Sequence, residues 1–345
     1  MAKRVLLVRQ DNNGDVLLTG PAVRAVAAAG AYVTYLCGPR GRSAAELLPG
    51  VDEVLCEHAA WIDAQPEPVD AAAAERFIAR LRARSFDEAI IFTSFHQSPL
   101  PAALLLRMAG VARIAAISVD YPGSLLDIRH HVCDDVHEVE RNLSLVATLG
   151  YHLSPADDGR LRINLPPASP FAPAASYVVV HPGATVPARA WSAQRNRELV
   201  ASLAGRGDQV VVTGDARERD LCDFVSGEVH GVYNLAGATT FGQYGALLRD
   251  ARAVICGNTA AVHVAAAVGT PVVELFAPTI PLSRFAPWRV PFRALGEQEI
   301  TCRGCRARIC PYENQPCLSS LTPDDVIRAL DELLVQSSVP RSIAV

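Results

Sequence analysis

Tyr177-Val178-Val179-Val180-His181 is an apolar run of strand length, and it stops at the turn Pro182-Gly183-Ala184-Thr185. The same grammar opens the chain: Arg4–Val8 is apolar and runs into Arg9-Gln10-Asp11-Asn12-Asn13-Gly14-Asp15. Working outward, short runs rich in Val and Ile recur at Tyr32–Leu36, Glu88–Phe92 and Ile114–Ile117, then at Gln209–Thr213, Ala253–Cys256 and Pro271–Phe276. Ala- and Leu-rich stretches of helical length lie between them, among them Asp15–Ala29, Ala71–Arg84 and Asn196–Leu203. Strands that are apolar on both faces and alternate with helices imply parallel sheets covered on both sides, so the fold class is α/β.

The alternation pauses once, over Asn164-Leu165-Pro166-Pro167-Ala168-Ser169-Pro170-Phe171-Ala172-Pro173, whose four prolines can neither continue a helix nor fill a central strand. The expected organisation is an α/β half over residues 1–163, a Pro-rich linker over 164–175 and a second α/β half over 176–345. Two such halves facing each other form a cleft, and open α/β sheets bind ligands at the carboxyl ends of their strands. A last helix is expected over Pro323–Val335, with Thr322 as N-cap and Asp325 three residues on, crossing back toward the first half.

At 345 residues the chain is long for one core and suited to two. Lys plus Arg number 32 against 36 Asp plus Glu, a net charge of −4, which gives no global reason to bind nucleic acid. Aromatics are 6%, too few for a base-stacking surface. The most apolar stretches, Leu100–Val119 and Ala260–Pro278, are interrupted by Arg107 and Arg113 and by His263 and Glu274, so neither suits a bilayer span. The N-terminal apolar run is too short for a secretory signal, and a cytoplasmic location is expected. Nine cysteines in that compartment do not read as a disulfide framework.

Chemistry concentrates where the runs end. Asp15 follows a strand and opens a helix, so it is either an N-cap or a carboxylate able to take a proton from a bound hydroxyl. There is no G-x-G-x-x-G here and no Walker A sequence. In the second half, Gly183 allows close backbone approach, Thr185 offers a hydroxyl, and Arg189 is either a solvated charge or a bidentate phosphate ligand. Thr213-Gly214 ends another run, and Glu218 either accepts from ribose hydroxyls or sits in a helix's first turn. Asn258-Thr259-Ala260-Ala261 opens an Ala-rich helix whose first amides suit an anion, while His263 inside it reads as a core histidine. Together these loops resemble a seat for a nucleotide diphosphate that needs no metal.

In this order the residues resemble glycosyltransferase family 9, the ADP-heptose heptosyltransferases. The likeness is carried by Arg9–Thr19 with Pro21-Ala22, Glu140-Arg141-Asn142-Leu143, His181–Ser192, Thr213-Gly214 with Glu218, and Asn234–Thr239. It continues through Gly257–His263, Ala267–Pro271 and Phe276–Thr279. The resemblance implies a GT-B fold, two Rossmann-like domains with the acceptor in the first and the nucleotide-sugar in the second. It implies Asp15 as general base in an inverting, metal-independent transfer from an ADP-sugar, with ADP leaving. The donor-binding set it implies is Gly14, Thr185, Arg189, Thr213, Gly214, Glu218, Thr239, Asn258, Thr259, Ala260, Ala261 and His263. Arg189 is then on the diphosphate with Thr185 and the Thr259–Ala261 amides, Glu218 and Asn258 face the nucleoside, and Thr239 borders the base. Two positions depart from the family pattern: Asn258-Thr259-Ala260 stands where Asp-Thr-Gly is usual, and Ile280 where an acidic residue is usual.

Rival readings are the same chemistry with a UDP- or GDP-sugar on a small natural-product or cell-wall acceptor, and a nucleotide-sugar-binding protein without catalysis. Cys302, Cys305, Cys310 and Cys317 form a late quartet whose spacing fits neither a two-knuckle zinc ribbon nor a ferredoxin. The expected metal content is therefore none, with those four thiols as the alternative. Arg76, Arg80, Arg82 and Arg84 interleave with Phe77, Ile78 and Leu81, which makes either an ordinary helix with a solvated face or a peripheral membrane contact.

Overall fold

The computed structural model describes residues 2–63, 66–94 and 97–338. Two compact units divide between Asn164 and Leu165. The first carries six strands: β1 (Arg4–Arg9), β2 (Tyr32–Cys37), β3 (Glu53–Cys56), β4 (Glu88–Ile91), β5 (Arg113–Ile117) and β6 (Ile128–His130). They form one parallel sheet in the order β3-β2-β1-β4-β5-β6. The second unit repeats the plan with β7 (Tyr177–His181), β8 (Gln209–Val212), β9 (Val232–Asn234), β10 (Val254–Gly257), β11 (Val272–Leu275) and β12 (Phe292–Leu295). Its order, β12-β11-β10-β7-β8-β9, is the same Rossmann topology seen from the other edge.

Every strand expected from the sequence is present within a residue or so of its bounds. Four further strands, β3, β6, β9 and β12, were not expected, and they are the outermost strands of the two sheets. All four are three or four residues long and partly exposed. An edge strand need not be apolar on both faces, so it lacks the continuous Val/Ile run that marks β1 or β7.

The expected helix Asp15–Ala29 is two helices, Asn13–Leu17 and Gly20–Ala28. The break falls at Thr19, whose hydroxyl donates to the Val16 carbonyl and meets the Tyr35 hydroxyl, and Pro21 then sits in the first turn of the next helix. Helix Ala71–Arg82 buries Phe77, Ile78 and Leu81 in the first unit's core, while Arg80 pairs with Glu57 and Arg84 with Glu53. Its apolar face is thus occupied by protein. Helix Pro323–Ser338 starts with the expected reciprocal cap: the Asp325 amide donates to Thr322 Oγ1, and the Thr322 amide to Asp325 Oδ2. Its residues Val326, Ala329, Leu330 and Leu333 belong to the second unit's core. Among the described residues no helix is long and apolar enough to cross a membrane.

Candidate functional site

In a sheet of this order, the loops after the first and fourth strands diverge to opposite faces, and the crevice between them is where ligands bind. In the first unit those loops follow β1 and β4. Asp15 is not the helix cap; Asn12 is, without a side-chain bond, and Gly14 lies inside the helix rather than in a left-handed turn. Asp15 instead accepts from Arg9 Nη2 at 3.0 Å. Arg9 is 1% exposed and holds three more partners. Its Nε lies 2.8 Å from Asp11 Oδ2, its Nη2 donates to Ser94 Oγ at 2.9 Å, and its Nη1 is 3.9 Å from Glu138.

Ser94 donates onward to Asp11 at 3.1 Å, and Gln97 donates to the other Asp11 oxygen at 2.7 Å. Burial alone would lower the Arg9 pKa, but Asp11, Asp15 and Glu138 outweigh it and hold the guanidinium firmly charged. Burial pushes Asp15 up to about 6, against the pull of Arg9, with Asp11 and Glu138 adding to the rise. The carboxyl remains a fifth exposed, so it is the one member of this cluster open to a ligand's proton.

In the second unit the equivalent loops follow β7 and β10. Arg189 ends a single helical turn after β7, donating from Nε to Thr279 Oγ1 at 3.1 Å and from Nη1 to Asn258 Oδ1 at 3.3 Å. Thr185, four residues earlier, is exposed. Thr259 caps helix Ala260–Val268 by accepting from the Ala261 amide at 3.3 Å, so of the amides expected to face an anion that one is taken. His263 is buried within the same helix.

Glu218 lies over two glycines. A Cβ on Gly183 would come within 2.0 Å of its carboxylate, and one on Gly214 within 3.1 Å of its Cβ. The carboxylate itself accepts from the Asp215 amide in a capping box, 4.0 Å from His181, whose other ring nitrogen meets Thr213. Burial lowers the His181 pKa. Thr239 sits in the loop leading to Thr240, which caps helix Phe241–Arg249.

The structure thus brings Arg189, Asn258 and Thr259 to one crevice of the second unit, and gathers His181, Gly183, Thr213, Gly214 and Glu218 at the ends of β7 and β8. Asp11, Ser94, Gln97, Glu138 and Glu274 escaped the sequence reading. Only Glu274 left a signal there, as a carboxylate inside an apolar strand. The four late cysteines are free thiols, and among the described residues no three His, Cys, Asp or Glu side chains are grouped to hold a metal ion. Cys317 is buried in the second unit's core while Cys305 faces solvent; burial raises the Cys317 thiol's pKa, and Cys310, Cys302 and Cys305 lie near enough to add to the rise.

Two Rossmann-like units of this topology define a GT-B glycosyltransferase fold. Residues 74–315 match the profile of glycosyltransferase family 9 (heptosyltransferase), and the chain belongs to that family. It is similar to lipopolysaccharide heptosyltransferase 1 of Pseudomonas aeruginosa, 28% identical over 96% of this chain and 98% of that one. It is also similar to lipopolysaccharide heptosyltransferase 3 of Escherichia coli, 32% identical over 59% of this chain; the match spans 62% of that relative's length. Among solved structures, the E. coli ADP-heptose lps heptosyltransferase II superposes with a TM-score of 0.76 at 20% identity, covering 97% of this chain and all of that one. An E. coli heptosyltransferase solved with ADP-2-deoxy-2-fluoro heptose gives 0.72 at 22% identity, over 95% of this chain and 99% of that one.

Proposed function

We propose that the protein is an inverting glycosyltransferase that moves a heptose, or a closely related sugar, from an ADP-sugar to an acceptor hydroxyl. The observation that carries this reading is Asp15: a partly exposed carboxylate, anchored by Arg9 at the carboxyl end of β1, with a pKa near 6. At neutral pH most of it is ionised, yet it is more basic than an ordinary aspartate, which is what a general base needs. Asp15 takes the acceptor's proton as the acceptor oxygen bonds to the anomeric carbon. The bond from that carbon to the diphosphate breaks, ADP departs, and the configuration inverts.

Arg189 receives the negative charge that grows on the departing diphosphate, helped by the hydroxyls of Thr185 and Thr279. A fixed guanidinium and hydroxyl donors supply the charge stabilisation without a metal. Glu218 and Thr239 lie on the strand-end loops that this reading gives to the nucleoside. ADP as the nucleotide rests on family membership and on the relatives, one of which is solved with an ADP-heptose analogue.

A thermal-shift panel with ADP, UDP and GDP tests the donor. A ligand at a hundredfold excess over its Kd adds about 2.7 kcal/mol, and ADP is expected to shift the melting point most. Turnover with the corresponding sugars follows. A larger shift with UDP or GDP would reassign the donor, and the absence of any shift would remove the nucleotide site.

A further inference from the structure

Glu274 is the sole fully buried carboxylate among the described residues of the second unit. It stands on β11, whose neighbours Val272, Val273 and Leu275 are the apolar side chains expected of a central parallel strand. One of its oxygens accepts from Asn258 Nδ2 at 3.2 Å, and the other has no hydrogen-bond partner among the described residues. Burial pushes its pKa up to about 8, with the Asn258 bond opposing. A half-satisfied carboxyl in a core is destabilising relative to a leucine or methionine, and packing gives no reason to keep it.

What it touches gives the reason. Asn258 has a carbonyl at one end of its amide and an NH2 at the other, and the two ends are nearly the same shape. Arg189 can only donate, so it donates to the carbonyl end and repels the other. Glu274 takes the NH2 end from below, which fixes the Asn258 carbonyl toward Arg189 Nη1 at 3.3 Å. Thr279 holds Nε of the same guanidinium at 3.1 Å. The arginine plane is thereby set by two acceptors, one of which is itself oriented from the core.

We infer that Glu274 is a positioning residue of the donor site, acting through Asn258 to fix the plane of the Arg189 guanidinium. The inference rests on the donor-site reading above and deepens it. It also gives a physical reason for an amide at position 258. An amide can donate to Glu274 and accept from Arg189 at once. A guanidinium held in plane loses less freedom on meeting two phosphate oxygens, so the effect belongs mainly in ground-state affinity.

The test compares Glu274→Met, which fills the volume without an acceptor, with Glu274→Gln, which keeps one. The Met variant is expected to raise the ADP Kd and the donor KM about tenfold, with kcat within about threefold and the melting point equal or higher. Gln is expected to stay within about twofold of the parent in both constants. In an Asn258→Ala background, Glu274→Met should add nothing further, because the route to Arg189 is already cut. Parent-like ADP affinity in the Met variant, or an undiminished loss in the Asn258→Ala background, overturns the inference.

A second readout needs no nucleotide. The Asn258 side-chain amide signal in an NMR spectrum, assigned by its absence in Asn258→Ala, should move in Glu274→Met and stay in Glu274→Gln. If the parent binds no nucleotide, the donor reading falls, and this signal alone decides whether the relay exists. An unmoved signal in the Met variant overturns it.

Discussion

The two units share one topology and put opposite chemistry at the same place in it. After β1 and β4, the first unit surrounds one buried arginine with Asp11, Asp15 and Glu138, so its crevice carries an excess of carboxylates. After β7 and β10, the second unit presents Arg189 on neutral acceptors, Asn258 and Thr279. In the first, the cation is buried among three carboxylates and holds Asp15 by a hydrogen bond. In the second, the cation is held by a hydroxyl and an amide oxygen. The strand order sets where the strand-end loops converge, and the identities of a few loop residues decide whether that place presents a carboxylate or a guanidinium.

The largest expected effect breaks the first crevice. Asp15→Asn keeps the shape and removes the proposed base, and turnover should fall about 10²–10⁴-fold while ADP affinity stays within about twofold. Undiminished turnover in that variant would falsify the role given to Asp15. The parent's kcat/KM should decline as pH drops through about 6, where Asp15 takes its proton. The same shift acts on stability with a definite sign. The folded state binds the Asp15 proton more tightly than the unfolded state, whose value is 3.8, so this residue's contribution shrinks as pH rises from there to about 6. Asp15→Asn removes that dependence, and its melting point should exceed the parent's at neutral pH but not at pH 4.

Arg9 and Arg189 sharpen the contrast next. Arg9→Met leaves Asp11, Asp15 and Glu138 without their common cation, and breaking a buried pair in this way typically loses about 3–5 kcal/mol of folding stability. Any folded remainder should show the acid limb of kcat/KM moved upward, because the cation that lowers the Asp15 pKa is gone. Arg189→Met should do the reverse, keeping the melting point and weakening ADP by about 1.5–3 kcal/mol, the usual size of a charge-assisted hydrogen bond. If both variants lost stability equally, the distinction between a structural and a ligand-facing arginine would fail.

How far the sequence carried this contrast depends on where partners come from. Central strands were legible from their Val- and Ile-rich runs, and edge strands were not, because β3, β6, β9 and β12 are short and half wet. Asp15 and Arg189 were legible because each follows a strand and a turn within a few residues. The cluster around Arg9 was not, since Ser94 reaches it from the loop after β4 and Glu138 from the start of the distant helix Glu138–Ala147. Glu274 was visible as a flaw in an apolar run, but its meaning required knowing that Asn258 lies above it.

The smallest effect isolates fold from site within the second unit. Thr322 caps the helix whose Val326, Leu330 and Leu333 close that unit's core, far along the chain from any residue of the donor crevice. Thr322→Ala removes the hydroxyl that accepts from the Asp325 amide, while the backbone amide of residue 322 still donates to Asp325 Oδ2, and should lose about 1 kcal/mol. For a unit of this size that is a fall of roughly 2–4 °C in melting point. ADP affinity should not change, because Thr322 and Asp325 bond each other at the helix start while Asn258 and Thr279 hold Arg189. A matching loss of ADP binding would mean that the helix orients the donor loops as well as covering the core, and the second crevice would then be less preorganised than the first.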